Sequence, residues 1–354
     1  MTAVQHTDLQ DLSEQTFDSF GYHVAVSLTN RCPLSCAHCV TQSGPKVSAP
    51  DLSAEAVDSF LTYVETNEDV ALVSLTGGEV GLLPGTIRHF VERAGRVGIR
   101  IGLMTSAFWA KTPAAAERFL DACGPVHLVT LSTDHYHLEF VPLSFIRNAY
   151  RACTARGIPT LVRLTIASEP SAGERELEAL LRREVGDSLQ VQHLVNWGRA
   201  ADLGLAAPDE PGANVPTMPC PTTGPHIMEG GQVIPCCNSL TALEPTHDLV
   251  LGDLRQESYA EVWDRSKHDL LLLYIRLFGF HAIVAELQRL GFGITNTDIS
   301  PCEVCTRIFA DQEMSRAAAA WVRNPANALR VAARMFERHG EDFPLHRLTA
   351  QVPR

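Results

Sequence analysis

Between residues 23 and 200 the chain alternates two hydrophobic rhythms. Short runs rich in β-branched residues predict six strands: HVAVSLT (23–29), ALVSLTG (71–77), IRIGLMTS (99–106), VHLVTLST (126–133), TLVRLTIA (160–167) and LQVQHLVNW (189–197). Helical spacing fills the gaps. Val57, Phe60, Leu61 and Val64 fall at i, i+3, i+4, i+7, and Ile87, Phe90, Val91 and Ala94 repeat the pattern. Pro84, Thr112-Pro113 and Pro142 stand where the second, third and fourth helices should begin. Six β–α repeats predict an α/β fold with a parallel sheet, either an open barrel or a doubly wound sheet. Both arrangements place reactive groups at the carboxyl ends of the strands.

After residue 200 the rhythm changes. AADLGLAAPDEPGANVPTMPCPTTGP (201–225) is rich in Pro, Gly and Ala and reads as a linker or covering loop. HIMEGGQVIPCC then suggests a hairpin turning at Gly230-Gly231, followed by a long helical region over about 256–290. An Ala-rich segment, SRAAAAWVRNPANALRVAARMFERHG, predicts a C-terminal packing helix. The pattern therefore divides the chain into an arm (1–22), a β–α domain (23–200), a second domain (201–310) and a helical tail (311–354).

Composition narrows the function. Among 354 residues, 45% are hydrophobic and 20% charged, an ordinary globular balance. A net charge of −12, without a dense Lys/Arg run, gives no basis for nucleic-acid or membrane-surface binding. The apolar stretch at 270–287 is interrupted by Arg276 and His281, so it reads as a core helix rather than a membrane span. The first residues are polar and acidic, unlike a signal peptide, which makes the cytoplasm the expected compartment.

Ten cysteines change the picture most. In a cytoplasmic protein, clustered thiols indicate metal or redox chemistry rather than disulfides. Cys32, Cys36 and Cys39 follow the first strand with C-x3-C-x2-C spacing. Three thiols suit an iron–sulfur cluster with one iron left open, zinc with His38 as fourth ligand, or no metal at all. Cys220, Cys236, Cys302 and Cys305 form a second set, with Cys237 beside it; Cys123 and Cys153 fall in helical or loop patterns and read as core. In TLSTDHYH (130–137), His135 and His137 at i, i+2 read as substrate contacts or surface, with a shared metal or acid–base chemistry as alternatives.

LTNRCPLSCAHC resembles the cluster loop of the radical S-adenosylmethionine (radical SAM) enzymes, with His38 where an aromatic residue often precedes the third cysteine. The resemblance implies a partial (β/α)6 TIM-like barrel whose three thiolates hold a 4Fe–4S cluster. SAM chelates the fourth iron there and is cleaved to a 5′-deoxyadenosyl radical that removes a hydrogen atom from a substrate carbon. TGGEVGLLPG, after the second strand, resembles the family's GGE element. Gly77, Gly78 and Glu79 are thereby implied at SAM, together with Thr105, Ser132, Asp134 and Arg163 at later strands. A helix or turn cap is the alternative for Asp134, and a structural or solvent-facing arginine for Arg163. Ser106 shares Thr105's position, and NWGRA (196–200) resembles a common ending after strand six.

The opening C-x10-G-x4-C of the second set, with Gly231 as its glycine, resembles the SPASM or twitch auxiliary module. No cysteine follows Cys305, which matches the shorter twitch form. One auxiliary 4Fe–4S cluster on Cys220, Cys236, Cys302 and Cys305 is implied, with a four-cysteine zinc site as alternative. Cys237 is then a hydrogen-atom donor, an alternate ligand or a buried thiol, the last being the bland reading.

The expected function is tailoring of a ribosomal peptide by crosslinking, epimerisation or oxidation. The expected partners are a reductant such as flavodoxin or ferredoxin and a separate leader-peptide-binding protein. The cysteine arrangement also resembles the aminocyclitol dehydrogenases, so oxidation or epimerisation of an aminocyclitol or sugar is the alternative. A non-catalytic iron–sulfur or zinc protein is the reading from a different class.

Overall fold

A computed structural model describes residues 17–204, 218–294 and 300–353. The beginning of the expected arm and residues 205–217 of the expected linker lie outside the described residues. The chain forms two compact units, one built from residues 23–204 with 226–231, the other from 17–22, 218–225, 232–294 and 300–353.

In the first unit the two rhythms become β1 (His23–Ser27), α1 (Ala54–Thr66), β2 (Leu72–Thr76), α2 (Pro84–Gly95), β3 (Arg100–Thr105) and α3 (Pro113–Cys123). β4 (Leu128–Thr133), a one-turn helix α4 (His135–Leu138), α5 (Leu143–Ala155), β5 (Thr160–Ile166), α6 (Ala172–Val185), β6 (Leu189–His193) and a short β7 (His226–Ile227) complete it. All six expected strands are present. β1 to β6 pair in parallel in sequence order, and β7 joins the free side of β1, also in parallel. Six parallel strands with six intervening helices, α4 being a single turn, make a partial barrel.

Local chemistry starts each helix. The Ser53 hydroxyl accepts from the Ala56 amide at 3.2 Å and that of Thr112 from Ala115 at 3.1 Å, while Ser171 and Glu174 form a reciprocal capping box. The stripe Val57, Phe60, Leu61 and Val64 is buried, as is Ile87, Phe90, Val91 and Ala94. Each of the Val, Leu, Ile and Phe side chains adds about 2 kcal/mol of burial free energy. Cys123 and Cys153 are fully buried in α3 and α5, as expected of core residues.

β5 shows what the barrel leaves open. Thr160, Val162, Leu164 and Ile166 are buried, whereas Leu161, Arg163 and Thr165 are only half-buried. Register aligns Arg163 with Ser132 on β4 and with Gln190 on β6. This face of the sheet is therefore partly polar and not packed to the density of a core.

The second unit holds the antiparallel pair β8 (Gln232–Ile234) and β9 (Gly252–Asp253), then α7 (Tyr259–Ser266), α8 (Leu270–Phe278), α9 (His281–Arg289), α10 (Pro301–Ala310), α11 (Gln312–Val322), α12 (Pro325–His339) and α13 (His346–Thr349). Two expectations need correction here. The core helix expected over the apolar stretch 270–287 is two helices, because Gly279, at φ 67°, ends α8. The single C-terminal helix is two, because Pro325 at the first position of α12 cannot continue α11 and the Asn324 side chain caps the restart.

No single helix among the described residues is long and apolar enough to cross a membrane; α8 and α9 meet the length and apolarity test only together, bent by 111°. Leu270 to Arg276 are all buried. The Arg276 guanidinium lies over the rings of Phe17 and Phe20, at 4.3 and 4.1 Å from their centroids, and donates to the Phe17 carbonyl at 2.6 Å.

Candidate active site

Parallel pairing brings the carboxyl ends of all six strands to one end of the barrel. The three-cysteine loop leaves β1 there. Its thiols pack with Leu34, Val141, Phe108, Tyr136 and Phe145 in one apolar cluster. Burial, chiefly, pushes Cys32 and Cys36 up to about 12. For Cys32 the Leu34 amide, which donates to its Sγ at 3.4 Å, and the Arg199 charge work against that rise. For Cys36 the charges of Asp134, Cys32 and Cys39 add to it.

Gly77 and Gly78 explain how this loop is held. The Gly78 amide donates to the Thr29 carbonyl at 2.6 Å and the Glu79 amide to the Arg31 carbonyl at 2.9 Å, tying the exit of β2 to the segment that enters Cys32. A Cβ on Gly77 would sit 2.3 Å from the Thr29 oxygen, at φ +130°, and one on Gly78 2.4 Å from the Arg31 oxygen. Only glycine permits that approach.

Glu79 and Thr105 are hydrogen-bonded to each other. The Glu79 carboxylate, 1% exposed, accepts from the Gly81 amide at 2.8 Å, the Thr105 hydroxyl at 2.6 Å and the Ser106 amide at 2.9 Å. Thr105 accepts in turn from the Trp109 indole at 3.0 Å. Both side chains join the ends of β2 and β3 from within. Ser132 and Arg163 do stand together on the partly polar sheet face, where the Arg163 guanidinium donates to the Gln190 side chain at 3.0 and 3.1 Å.

Asp134 caps α4 through the His137 amide at 2.9 Å and also accepts from the His137 ring at 2.7 Å and from the His38 ring at 3.1 Å. Burial acts to raise its carboxyl, yet the hydrogen bonds and charges of the two histidines prevail and hold it well below the usual carboxylate range. His38 stacks on Tyr136 with ring centroids 4.8 Å apart. This three-residue link was not legible beforehand, although DHYH flagged its place. His137 turns to Asp134, whereas His135 is exposed and influences Glu174.

Arg199 of the NWGRA segment holds the cysteine loop from the other end of the barrel sequence. In the segment after β6, the Arg199 guanidinium donates to the Cys36 carbonyl at 3.0 and 2.8 Å and to the Ser43 carbonyl at 2.7 Å, and its amide donates to the Cys39 carbonyl at 3.1 Å. Gly198 lies so close to the loop that a Cβ would meet the Val40 oxygen at 2.2 Å.

The second unit collects the other four thiols. Cys302 and Cys305 lie in the first turns of α10, capped by Ser300, and Cys236, Cys302 and Cys305 each feel the charge of at least one other member of the set. Burial pushes Cys302 up to about 11 and raises Cys220, Cys236 and Cys305 as well. The Cys220 amide donates to the Ile275 carbonyl at 3.1 Å, and the Thr222 hydroxyl bonds the Pro235 carbonyl at 2.7 Å, linking the Cys220 and Cys236 segments. Cys237 corrects an expectation: it is exposed, not a buried thiol.

The donor sets suit soft iron centres. Three thiols of one loop in an apolar wall fit a cluster with one open iron, and four convergent thiols, Cys305 buried and the others partly so, fit a closed one. Bound metal displaces the thiol protons that burial retains.

Residues 26–168 match the sequence model of the Radical SAM superfamily. A curated relative, the putative peptide biosynthesis protein YydG of Bacillus subtilis (strain 168), is 24% identical over 305 residues, covering 82% of this chain and 92% of that protein. The structure of native anSMEcpe with bound AdoMet aligns with a TM-score of 0.50 at 13% identity, over 88% of this chain and 100% of that one. BtrN in complex with AdoMet and 2-DOIA aligns with a TM-score of 0.41 at 11% identity, over 75% and 89% of the two chains.

Proposed function

We propose that this chain, a radical SAM superfamily enzyme by its domain over residues 26–168, modifies a ribosomally made peptide by taking a hydrogen atom from one of its carbons and returning one from Cys237. Membership of the superfamily implies a 4Fe–4S cluster and SAM. Cys32, Cys36 and Cys39 are the residues to hold that cluster, and the edge formed by Gly77, Gly78, Ser132 and Arg163 offers SAM its polar contacts. Bound there, cluster and SAM supply the 5′-deoxyadenosyl radical chemistry of the family.

The chain's own residues do the rest. The apolar wall of Leu34, Val141, Phe108 and Phe145 keeps water from the thiols. Glu79, Thr105 and Asp134 fix the strand ends without needing to touch SAM, and Cys220, Cys236, Cys302 and Cys305 hold a second cluster for electron transfer. A thiol that gives its hydrogen atom to a substrate carbon radical becomes a thiyl, which an electron and a proton restore; a flavodoxin- or ferredoxin-like reductant provides the electron.

The observation that carries this reading is the exposed Cys237 next to a set of four convergent thiols. The relation to a putative peptide biosynthesis protein supports a peptide as substrate; a separate protein that binds the leader would complete the system. The test is anaerobic turnover of reconstituted enzyme with SAM and a precursor peptide encoded near its gene, run in deuterium oxide. The wild type should form 5′-deoxyadenosine and place one deuteron in the product. Cys237→Ala should still form 5′-deoxyadenosine but lose the deuterated product. Unchanged product from that variant removes the donor role, and absence of 5′-deoxyadenosine from the wild type removes the whole reading.

A further inference from the structure

Arg199 reaches the cysteine loop from the far end of the barrel sequence, 163 residues after Cys36. Three of its donor atoms and its backbone amide are spent on carbonyls of that loop: Cys36 and Ser43 from the side chain, Cys39 from the backbone. Gly198, at φ +58°, allows the contact by leaving no Cβ against Val40. Two of the three carbonyls belong to thiol-bearing residues, the guanidinium binds that of Cys36, and its charge acts on the Cys32 and Cys36 thiols. The carboxylates nearest the thiols, Glu79 and Asp134, bring negative charge to the same place.

Resting on the reading of Cys32, Cys36 and Cys39 as cluster ligands, we propose that Arg199 is a positioning residue with two separable duties: its fork clamps the cluster loop, and its positive charge makes the bound cluster easier to reduce. Adding an electron to a centre already held by thiolates is opposed by every nearby anion and favoured by a fixed nearby cation. A guanidinium serves both duties because its planar donors span two carbonyls while the charge stays in place.

The test separates the duties. Reconstituted wild type, Arg199→Gln and Arg199→Lys are compared by iron content, by loss of iron to a chelator, and by redox titration of the electron paramagnetic resonance signal that changes on adding SAM. Arg199→Gln keeps a donor but no charge, and at the wild-type midpoint its oxidised-to-reduced ratio should rise about tenfold, equivalent to a midpoint lower by about 59 mV for one electron. Arg199→Lys keeps the charge but not the fork, so its midpoint should stay near the wild type while it loses iron several-fold faster. Failure of Arg199→Gln to load iron while its apoprotein melts like the wild type, with Arg199→Lys loading, would also support the cationic role. A fully loaded Arg199→Gln with the wild-type midpoint overturns the proposal. Equal shifts in both variants overturn the charge duty, and loss of the fold in both makes Arg199 a stability residue and overturns it. If no signal in the wild type responds to SAM, the underlying cluster reading fails, independently of Arg199.

Discussion

His226 and His247 are imidazoles that folding has to keep neutral. They are 2% and 5% exposed, and neither the Nδ1 of His226 nor either ring nitrogen of His247 finds a hydrogen-bond partner among the described residues. Burial brings both down from 6.5 to about 4; for His226 the charge of neighbouring His23 adds to the fall, and for His247 Asp248 opposes it. Between those values the unfolded chain binds the extra protons, so stability is complete above pH 6.5 and is lost as the pH falls toward 4. Each histidine accounts for roughly 3 kcal/mol over that window. Denaturant unfolding of the holoenzyme at about pH 7 and about pH 5 should show the loss, and His226→Gln and His247→Gln should each flatten it. A pH-independent midpoint in the wild type would contradict this account.

At the scale of elements, the decisive feature is the crossing of two strand exits, where Gly77 and Gly78 press on Thr29 and Arg31. Gly78→Ala drives a Cβ into the Arg31 carbonyl and displaces the entry to Cys32. Such a variant should fold but lose about half its iron, all of it from the three-thiol site, with the four-thiol site intact. Iron analysis with absorption spectra checks this, and full iron would show that the crossing is not needed.

The strands and their order were readable because β-branched runs separated by amphipathic helices admit few parallel topologies. The interruption at Asn324-Pro325 was less legible: Ala318, Val322, Ala328 and Val331 are all buried, so apolar residues persist across the break. The grouping of the thiols, though not what they bind, was readable from spacing. Glu79's turn toward Thr105, and Arg199's toward Cys36, depend on contacts between segments 26 and 163 residues apart, which no local pattern encodes.

For the molecule as a whole, each compact unit carries one set of thiols. If both hold 4Fe–4S clusters, the reconstituted chain binds about eight irons, and Cys302→Ala about four while still cleaving SAM. Four irons in the wild type, or loss of SAM cleavage in that variant with its first cluster intact, would contradict the division of labour.

The stacking of Arg276 on Phe17 and Phe20 then acquires a practical meaning. Arg276 adjoins Ile275, whose carbonyl receives the Cys220 amide, so the two aromatic rings form a roof on the flank of the second thiol set. Trimming the chain up to Phe20 would strip that roof, hydrate a guanidinium that is now enclosed, and give dioxygen a route to the thiols of that set.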